Sequence, residues 1–361
     1  MSESATKHQM IRNYILNLIE TGKYKYNDRL PSRNTFASNF KCAPATIVKV
    51  FDELATEGIL YKKNGSGTYI AEPKAKKHLS IAVLMSKVYF SDDQLLGTYN
   101  FKPQILQYTE MAASEIKAEI SLFLDLLNPE VQKRKLIHIT ESEYDGVIYI
   151  DELDGVNKKE FTNLKKKGIT TVQIDRIIFP DMIDSVLSDN LSAISDTIDI
   201  LLKNSFDDIH FITYSREHSS VTERKEAYVN YYKKLGFKPK IYNIDIDEKR
   251  IILKSSINDL NKLAKSLNSN SCVFCTDAYQ LNSIYEALKS YKLNIDLSQI
   301  ALASFDGLPV NIKDKTNTII IHQDLKSICD EAIRIIADKS KNKKNYVSNI
   351  KIPCQIEAKF E

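Results

Sequence analysis

The residues of this chain whose types and spacing could do chemistry are mostly cations, set among helix and turn signals in 30–70. Ser32, in Leu30-Pro31-Ser32, can accept hydrogen bonds from the open backbone N–H groups of a helix over Arg33–Phe40. Arg33 beside that cap is not required for folding, which points to a partner outside the chain. Pro44 suits the first turn of a second helix. Ile47, Val50, Phe51 and Leu54 recur at three- and four-residue spacing, so one stripe meets a core while Ala45, Thr46, Val48 and Lys49 take the other faces. Gly58 ends that helix. Ile59–Lys63 and Thr68–Ala71 then look extended, joined by a reversal through Asn64-Gly65-Ser66-Gly67. Met10, Ile11, Tyr14, Ile15, Leu18 and Ile19 form a helical stripe able to cover the pair. Helix, turn, helix and hairpin together read as a DNA-reading pair with a β-wing. None of this is unambiguous residue by residue, since Ser32 as a cap needs no DNA and Gly65 and Gly67 could serve any hairpin.

Other constellations carry less. Cys272-Val273-Phe274-Cys275 has CxxC spacing, but on a strand positions i and i+3 face opposite ways, which defeats joint metal binding and favours core cysteines. Six histidines show no HxxxH or HExxH pattern, and His322 is expected to be a satisfied buried histidine. With ten glycines and no phosphate-cradling motif, nucleotide binding has no support. Asp92-Asp93 reads as a solvated pair in a loop. No activated nucleophile or acid/base couple is found, so the chain is not expected to be an enzyme, nor to need a metal or other cofactor.

Composition is that of an ordinary globular protein, with 43% hydrophobic and 27% charged residues. The overall charge of +3 hides an asymmetry. Residues 1–78 hold 13 basic and 7 acidic residues, a net of +6, while the remaining 37 basic and 40 acidic residues give −3. A basic module on a near-neutral body suits phosphate contact by one end of the molecule. The polar N-terminus and the lack of a long apolar run argue against secretion and membrane insertion. Five cysteines, sparse and odd in number, fit a reducing cytoplasm.

The basic segment EPKAKKH at 72–78, broken by Pro73, reads as a linker between a domain at 1–71 and a body at 79–361. In the body, strand-like runs at 79–85, 120–126, 146–150, 169–174, 209–214, 241–244, 271–275 and 300–304 alternate with helical stretches. The latter lie near 102–117, 157–167, 191–203, 222–235, 257–267, 279–290 and 325–338. Such alternation builds parallel sheets covered by helices. The strands are too many for one small sheet, so the expected fold class is α/β: a winged helix-turn-helix joined to two α/β lobes. Lobe 1 is expected at about 79–187 plus 324–342, and lobe 2 at about 188–321 plus 343–361.

Two resemblances sharpen this. Residues 5–71 resemble the winged helix-turn-helix of GntR-family transcription regulators, through Leu30-Pro31-Ser32-Arg33, Thr46-Ile47, Glu57-Gly58-Ile59-Leu60 and Gly65-Ser66-Gly67-Thr68. The resemblance implies DNA contacts by Arg33, Ala45, Thr46, Lys49 and Gly65. Pro44 stands where many relatives carry arginine, which removes a guanine contact and leaves more to apolar contacts of Ala45 and Thr46 with thymine methyls. Residues 79–361 resemble the effector domain of LacI-type regulators, which is similar to periplasmic sugar-binding proteins. The marks are Val172-Gln173-Ile174-Asp175-Arg176, Val186-Leu187-Ser188-Asp189-Asn190, Thr222-Glu223-Arg224, Cys275-Thr276-Asp277 and Ser304-Phe305-Asp306-Gly307. A GntR-type head on such a body resembles the arabinose-repressor arrangement.

A sugar offers hydroxyls as donors and acceptors, so carboxylates and a guanidinium fix it while an aromatic face covers its C–H surface. The resemblance implies Asp175, Arg224 and Asp306 as ligand contacts, with Thr276 where relatives often have asparagine. Tyr89, Phe90, Tyr214 and Tyr279, near strand ends, could stack on the ligand or sit in the core. The local alternatives are a helix-surface salt bridge with Glu223 for Arg224 and a chain turn for Asp175. Asp189 and Asn190 read as a helix cap.

The resulting expectation is a repressor of carbohydrate-utilisation genes that binds operator DNA as a homodimer and is released by a monosaccharide or sugar phosphate. The alternative is a passive sugar-binding protein, or an enzyme, that carries a nucleic-acid-binding head.

Overall fold

The structure, a computed structural model, describes residues 3–72, 78–85, 101–124, 128–150, 158–215, 218–247, 249–291, 293, 295–308, 312, 315, 317–342 and 346–360. Tyr89, Phe90 and Asp92-Asp93 lie outside them, as does most of the expected linker. The chain divides into two compact units, Met1–Lys77 and His78–Glu361.

In the N-terminal unit, α1 (Glu3–Glu20), α2 (Arg33–Asn39) and α3 (Pro44–Thr56) precede the hairpin β1 (Leu60–Lys63) and β2 (Gly67–Ile70). Ser32 caps α2, its Oγ accepting from Thr35 N–H at 3.2 Å, and Pro44 opens α3. Ile47, Val50, Phe51 and Leu54 bury the inner face of α3 against Ile11 and Ile15 of α1, Phe36 of α2, and Leu60 and Ile70 of the wing. Gly58 takes a φ of +75°, a left-handed turn that glycine enters without steric cost.

The C-terminal unit holds two six-stranded sheets, and its cores are built from near-continuous apolar strands of the kind buried on both faces. The first sheet contains β3 (Ser80–Leu84), β4 (Glu119–Phe123), β5 (Gly146–Tyr149), β6 (Thr170–Ile174), β7 (Asp184–Ser188) and β13 (Asn349–Ile352), in the order β13-β7-β6-β5-β3-β4. It is covered by α4 (Phe101–Glu115), α5 (Pro129–Glu141), α6 (Lys158–Lys166) and α11 (Leu325–Asn342). The second sheet contains β8 (Asp208–Thr213), β9 (Lys240–Asn243), β10 (Ser271–Cys275), β11 (Ala301–Phe305), β12 (Thr318–His322) and β14 (Gln355–Lys359), in the order β14-β12-β11-β10-β8-β9. Helices α7 (Asn190–Lys203), α8 (Ser219–Lys234), α9 (Ile257–Ser266) and α10 (Ala278–Lys289) pack against it. Apart from the antiparallel β12–β14 pair, every pairing in both sheets is parallel. The chain passes between lobes after β7, after β12 and after β13.

Two expectations need correction. The tail does not go wholly to lobe 2, because β13 pairs with β7 in the first sheet and only β14 joins β12. His322 is not a buried histidine: its side chain is 44% exposed and Nε2 lies 3.1 Å from Glu357 Oε2. The elements α5, β7, β12, β13 and β14 also fall outside the expected set. In β7 the signal was masked by buried polar residues, Asp184, Ser185 and Ser188. Asp184 tolerates burial because Lys339 of α11 donates to both its oxygens at 2.7 Å. Cys272 and Cys275 enter different core clusters on opposite faces of β10, as strand geometry requires.

The packing of lobe 1 leaves no room at Gly146, where an added Cβ would stand 2.4 Å from Ile336 Cγ2. Gly146→Ala should destabilise this lobe by about 1–3 kcal/mol through overpacking, read as a lowered urea midpoint for the effector unit. An unchanged midpoint would contradict the close seating of α11 on β5.

Candidate nucleic-acid interface and ligand cleft

Arg33 is exposed at the start of α2, and Gly65 is exposed at the wing turn with a φ of +73°. Ala45 and Lys49 line an exposed groove on α3 together with Val48, Asp52 and Thr56, while Thr46 is half-buried. Carboxylates on this helix would repel phosphate if left alone, but each has a basic neighbour. Lys62 of β1 pairs with Asp52, Arg12 of α1 reaches Glu57 at 2.7 Å, and His8 Nε2 lies 2.9 Å from Glu53. Arg33, Lys49 and Lys63 enter no ion pair or side-chain hydrogen bond among the described residues, so their charge faces outward. Contacts of this kind position a protein on DNA, while side chains reaching base edges from α3 give selectivity.

In the effector unit, a cleft of about 460 Å³ opens between the lobes. That size suits a small ligand. Asp175, Arg224, Thr276 and Asp306, far apart in sequence, all line it; Tyr214 and Tyr279 do as well. The two aspartates occupy equivalent places. Asp175 follows β6 and Asp306 follows β11, each with left-handed backbone (φ +65° and +70°). Each donates its N–H to the neighbouring strand, Asp175 to Val186 O at 3.1 Å and Asp306 to Ile321 O at 2.9 Å. Left-handed aspartate at the end of a strand is a tolerated strain that functional sites often hold. Arg176 Nε lies 3.6 Å from Asp175 Oδ2. Gln323 Nε2 donates to both oxygens of Asp306, at 2.8 and 2.9 Å, while its own Oε1 accepts from Ser188 Oγ at 2.7 Å. The cleft carboxylate is thereby tied to two of the three interlobe crossings. A further link joins the lobes directly, since Ile177 N–H donates to Ser219 Oγ at 3.0 Å.

Arg224 is 4% exposed and is not the surface salt bridge that its neighbour Glu223 could have offered. Its Nε donates to Asn190 Oδ1 at 2.8 Å and its Nη1 to Thr276 O at 2.9 Å, while the guanidinium lies 3.7 Å from the centre of the Phe305 ring. Among the described residues, these contacts leave Nη2 without a hydrogen-bond partner. Asn190 is therefore more than part of a cap, because its Nδ2 also donates to Glu223 Oε2 at 2.7 Å. Asp189 does cap α7, accepting from Ser192 N–H at 3.2 Å. Thr276 turns its hydroxyl toward Gln280 Oε1 at 3.1 Å, so what it contributes is the carbonyl that holds Arg224.

Asp277 was not singled out by the sequence, although it directly follows Thr276 in a quoted motif. It caps α10 through Gln280 N–H at 2.8 Å and accepts from Tyr214 Oη at 2.7 Å. Burial pushes its carboxyl up against the pull of those hydrogen bonds, and burial together with the Asp277 charge raises the Tyr214 phenol well above its ordinary value. Tyr214 consequently remains a donor. Asp245, Phe101 and Gln323 also line the cleft, and no motif marked them.

A second cavity of about 520 Å³ lies at the other end of lobe 1, lined by Lys165, Lys166, Lys167, Asp184 and Lys339 among others. It opens beside the N-terminal ends of β6 and β7, whereas parallel sheets place ligands beyond the C-terminal ends. Asp175 and Asp306 stand at such C-terminal ends, and this favours the interlobe cleft. Among the described residues no helix is long and apolar enough to cross a membrane, and no cluster of potential metal ligands occurs.

Comparison with known proteins follows the same division. Residues 7–70 match the model of bacterial regulatory proteins of the gntR family. An arabinose metabolism transcriptional repressor of Halalkalibacterium halodurans is 27% identical over 173 residues, covering 47% of this chain and 46% of the relative. One of the same description from Geobacillus stearothermophilus is 31% identical over 143 residues, covering 39% of this chain and 37% of the relative. The chain thus spans less than half the length of these relatives. Among solved structures, a complex of the transcriptional regulator CelR with cellobiose superposes with a TM-score of 0.62 at 15% identity, covering 88% of this chain and 90% of that one, a likeness of fold. The N-terminal unit is a gntR-family winged helix-turn-helix, and it is followed by a two-lobe α/β unit with the fold of LacI-type regulators and periplasmic binding proteins.

Proposed function

We propose that this protein is a ligand-responsive transcriptional regulator whose head binds operator DNA and whose interlobe cleft takes an unphosphorylated sugar. The observation that carries the reading is the presence, in one chain, of a gntR-type head with outward-facing cations and a cleft where Asp175, Arg224 and Asp306 converge. The relatives named as arabinose metabolism repressors and the CelR complex with cellobiose support a saccharide as the ligand class. The charge of the cleft supports a free sugar over a phosphorylated one. Its described lining holds four carboxylates, Asp175, Asp245, Asp277 and Asp306, against the guanidiniums of Arg176 and Arg224. The carboxylates outnumber the guanidiniums, and a phosphate dianion placed there would face like charge, which costs several kcal/mol. Hydroxyls can donate to the carboxylates and accept from Arg224, and Phe101, Tyr214 and Tyr279 offer ring faces for the C–H surface.

One helix-turn-helix reads too few base pairs to be selective, so the working unit would be a homodimer on a near-palindrome. The cleft links two lobes that can change their mutual angle, and ligand that favours one angle shifts DNA affinity only by its differential affinity for the two states. The sign proposed is loss of DNA binding on ligand, hence repression relieved by inducer in the cytoplasm.

Two outcomes test this. In a thermal-shift screen of neutral mono- and disaccharides beside their phosphates, a neutral sugar should raise the melting midpoint, as any ligand selective for the folded state does. Arg224→Ala should weaken that response by about 10- to 100-fold in ligand concentration and leave DNA retardation intact; a response confined to phosphorylated sugars would refute the charge argument. Conversely, Arg33→Ala should weaken DNA binding by about 1–3 kcal/mol with ligand affinity unchanged. A variant losing both activities together would indicate misfolding.

A further inference from the structure

Among the exposed cations of the head that no motif marks, Arg29 is set apart by its place beside the wing. Arg29 is exposed and enters no ion pair or side-chain hydrogen bond among the described residues, whereas Arg12 and Lys62 are held by Glu57 and Asp52. Its backbone is nonetheless fixed. Arg29 forms an antiparallel bridge with Tyr69, flanked by bonds from Leu30 N–H to Thr68 O at 2.9 Å and from Ile70 N–H to Asp28 O at 3.0 Å. The segment therefore lies beside β2, joined to it by a single β-bridge.

Residues opposite one another in an antiparallel pair share a face, and alternate residues along a strand do too. Arg29 thus stands on the face of Tyr69 and Gly67, while Leu30, Thr68 and Ile70 turn into the core. On the outer face Tyr61 stacks on Tyr69 at 5.4 Å, and Tyr61 Oη donates to Asn27 Oδ1 at 3.2 Å. Lys63 is the register partner of Gly67 across the hairpin. The guanidinium of Arg29 lies directly over Gly67, where a built Cβ would come within 2.8 Å of Nε and 3.4 Å of Nη2. Two uncommitted cations, Arg29 and Lys63, consequently flank a residue with no side chain.

We propose that Arg29, whose guanidinium lies over Gly67, is a DNA-phosphate-contacting residue of the wing. A planar guanidinium presents a fork of donors that matches phosphate, and resting it on backbone reduces the freedom it must lose on binding. The inference rests on the head's binding of DNA.

The test uses the full chain and a duplex of random sequence, since phosphate contacts are independent of sequence, with affinity followed across a salt series. Arg29→Ala should lower affinity about tenfold and reduce the steepness of the log–log salt plot by about 0.9. Arg29→Lys should keep the slope and recover part of the affinity, because the charge remains without the fork. Wild-type slope and affinity in Arg29→Ala would overturn the proposal. So would a loss of affinity with unchanged slope that tracks a lowered melting midpoint, which would make Arg29 a structural residue of the wing. Failure of the wild-type chain to retard any duplex at low salt would instead remove the DNA-binding reading itself, and this proposal with it.

Discussion

The effector unit is organised around one buried cation. A guanidinium withdrawn from water costs several kcal/mol unless its donors find partners. Arg224 meets that demand with Asn190 of α7, the Thr276 carbonyl after β10 and the Phe305 ring at the end of β11. Three elements that meet nowhere in sequence are thus drawn to one point at the C-terminal ends of the lobe 2 strands. Misplacing any of them would leave a buried charge short of partners, so the floor of the cleft is held in place by the protein's own contacts.

The rest of the cleft is built against that floor by repetition. Asp175 and Asp306 close equivalent strands in the two lobes and share the same left-handed turn and the same backbone bond to the next strand. Asp306 is tied into the crossings through Gln323 and Ser188. A ligand hydroxyl that donates to Asp306 would compete with Gln323 for the same oxygens, and Gln323 is also held by Ser188 at another crossing. The Ile177–Ser219 bond is the complementary contact, joining the lobes from opposite walls.

The head solves a different electrostatic problem. A helix meant to approach DNA carries Asp52, Glu53 and Glu57, and basic groups from α1 and β1 stand beside each of them. Such exposed pairs add little stability. Their consequence is local: Lys62 and Arg12 offset the charges of Asp52 and Glu57, and exposed cations such as Arg29, Arg33, Lys49 and Lys63 then set the sign of the surface.

Within the head, the sequence alone determined nearly the whole arrangement, because its signals are local. A cap at Ser32, a proline at Pro44, a helical stripe from Ile47 to Leu54 and a glycine turn at Gly65–Gly67 each specify backbone over a few residues. In the effector unit the same kind of signal located most strands and helices, and resemblance directed attention to Asp175, Arg224 and Asp306. It missed β7, whose Asp184 and serines read as polar until Lys339, 155 residues away, neutralises the aspartate. It assigned β13 to the wrong lobe, since pairing with β7 is a non-local choice that no local pattern records. Asn190, Gln323 and the seat of Arg29 on Gly67 were likewise decided only by tertiary structure. Each acquires its role from a partner distant along the chain, and the sequence lists residues without recording which of them meet.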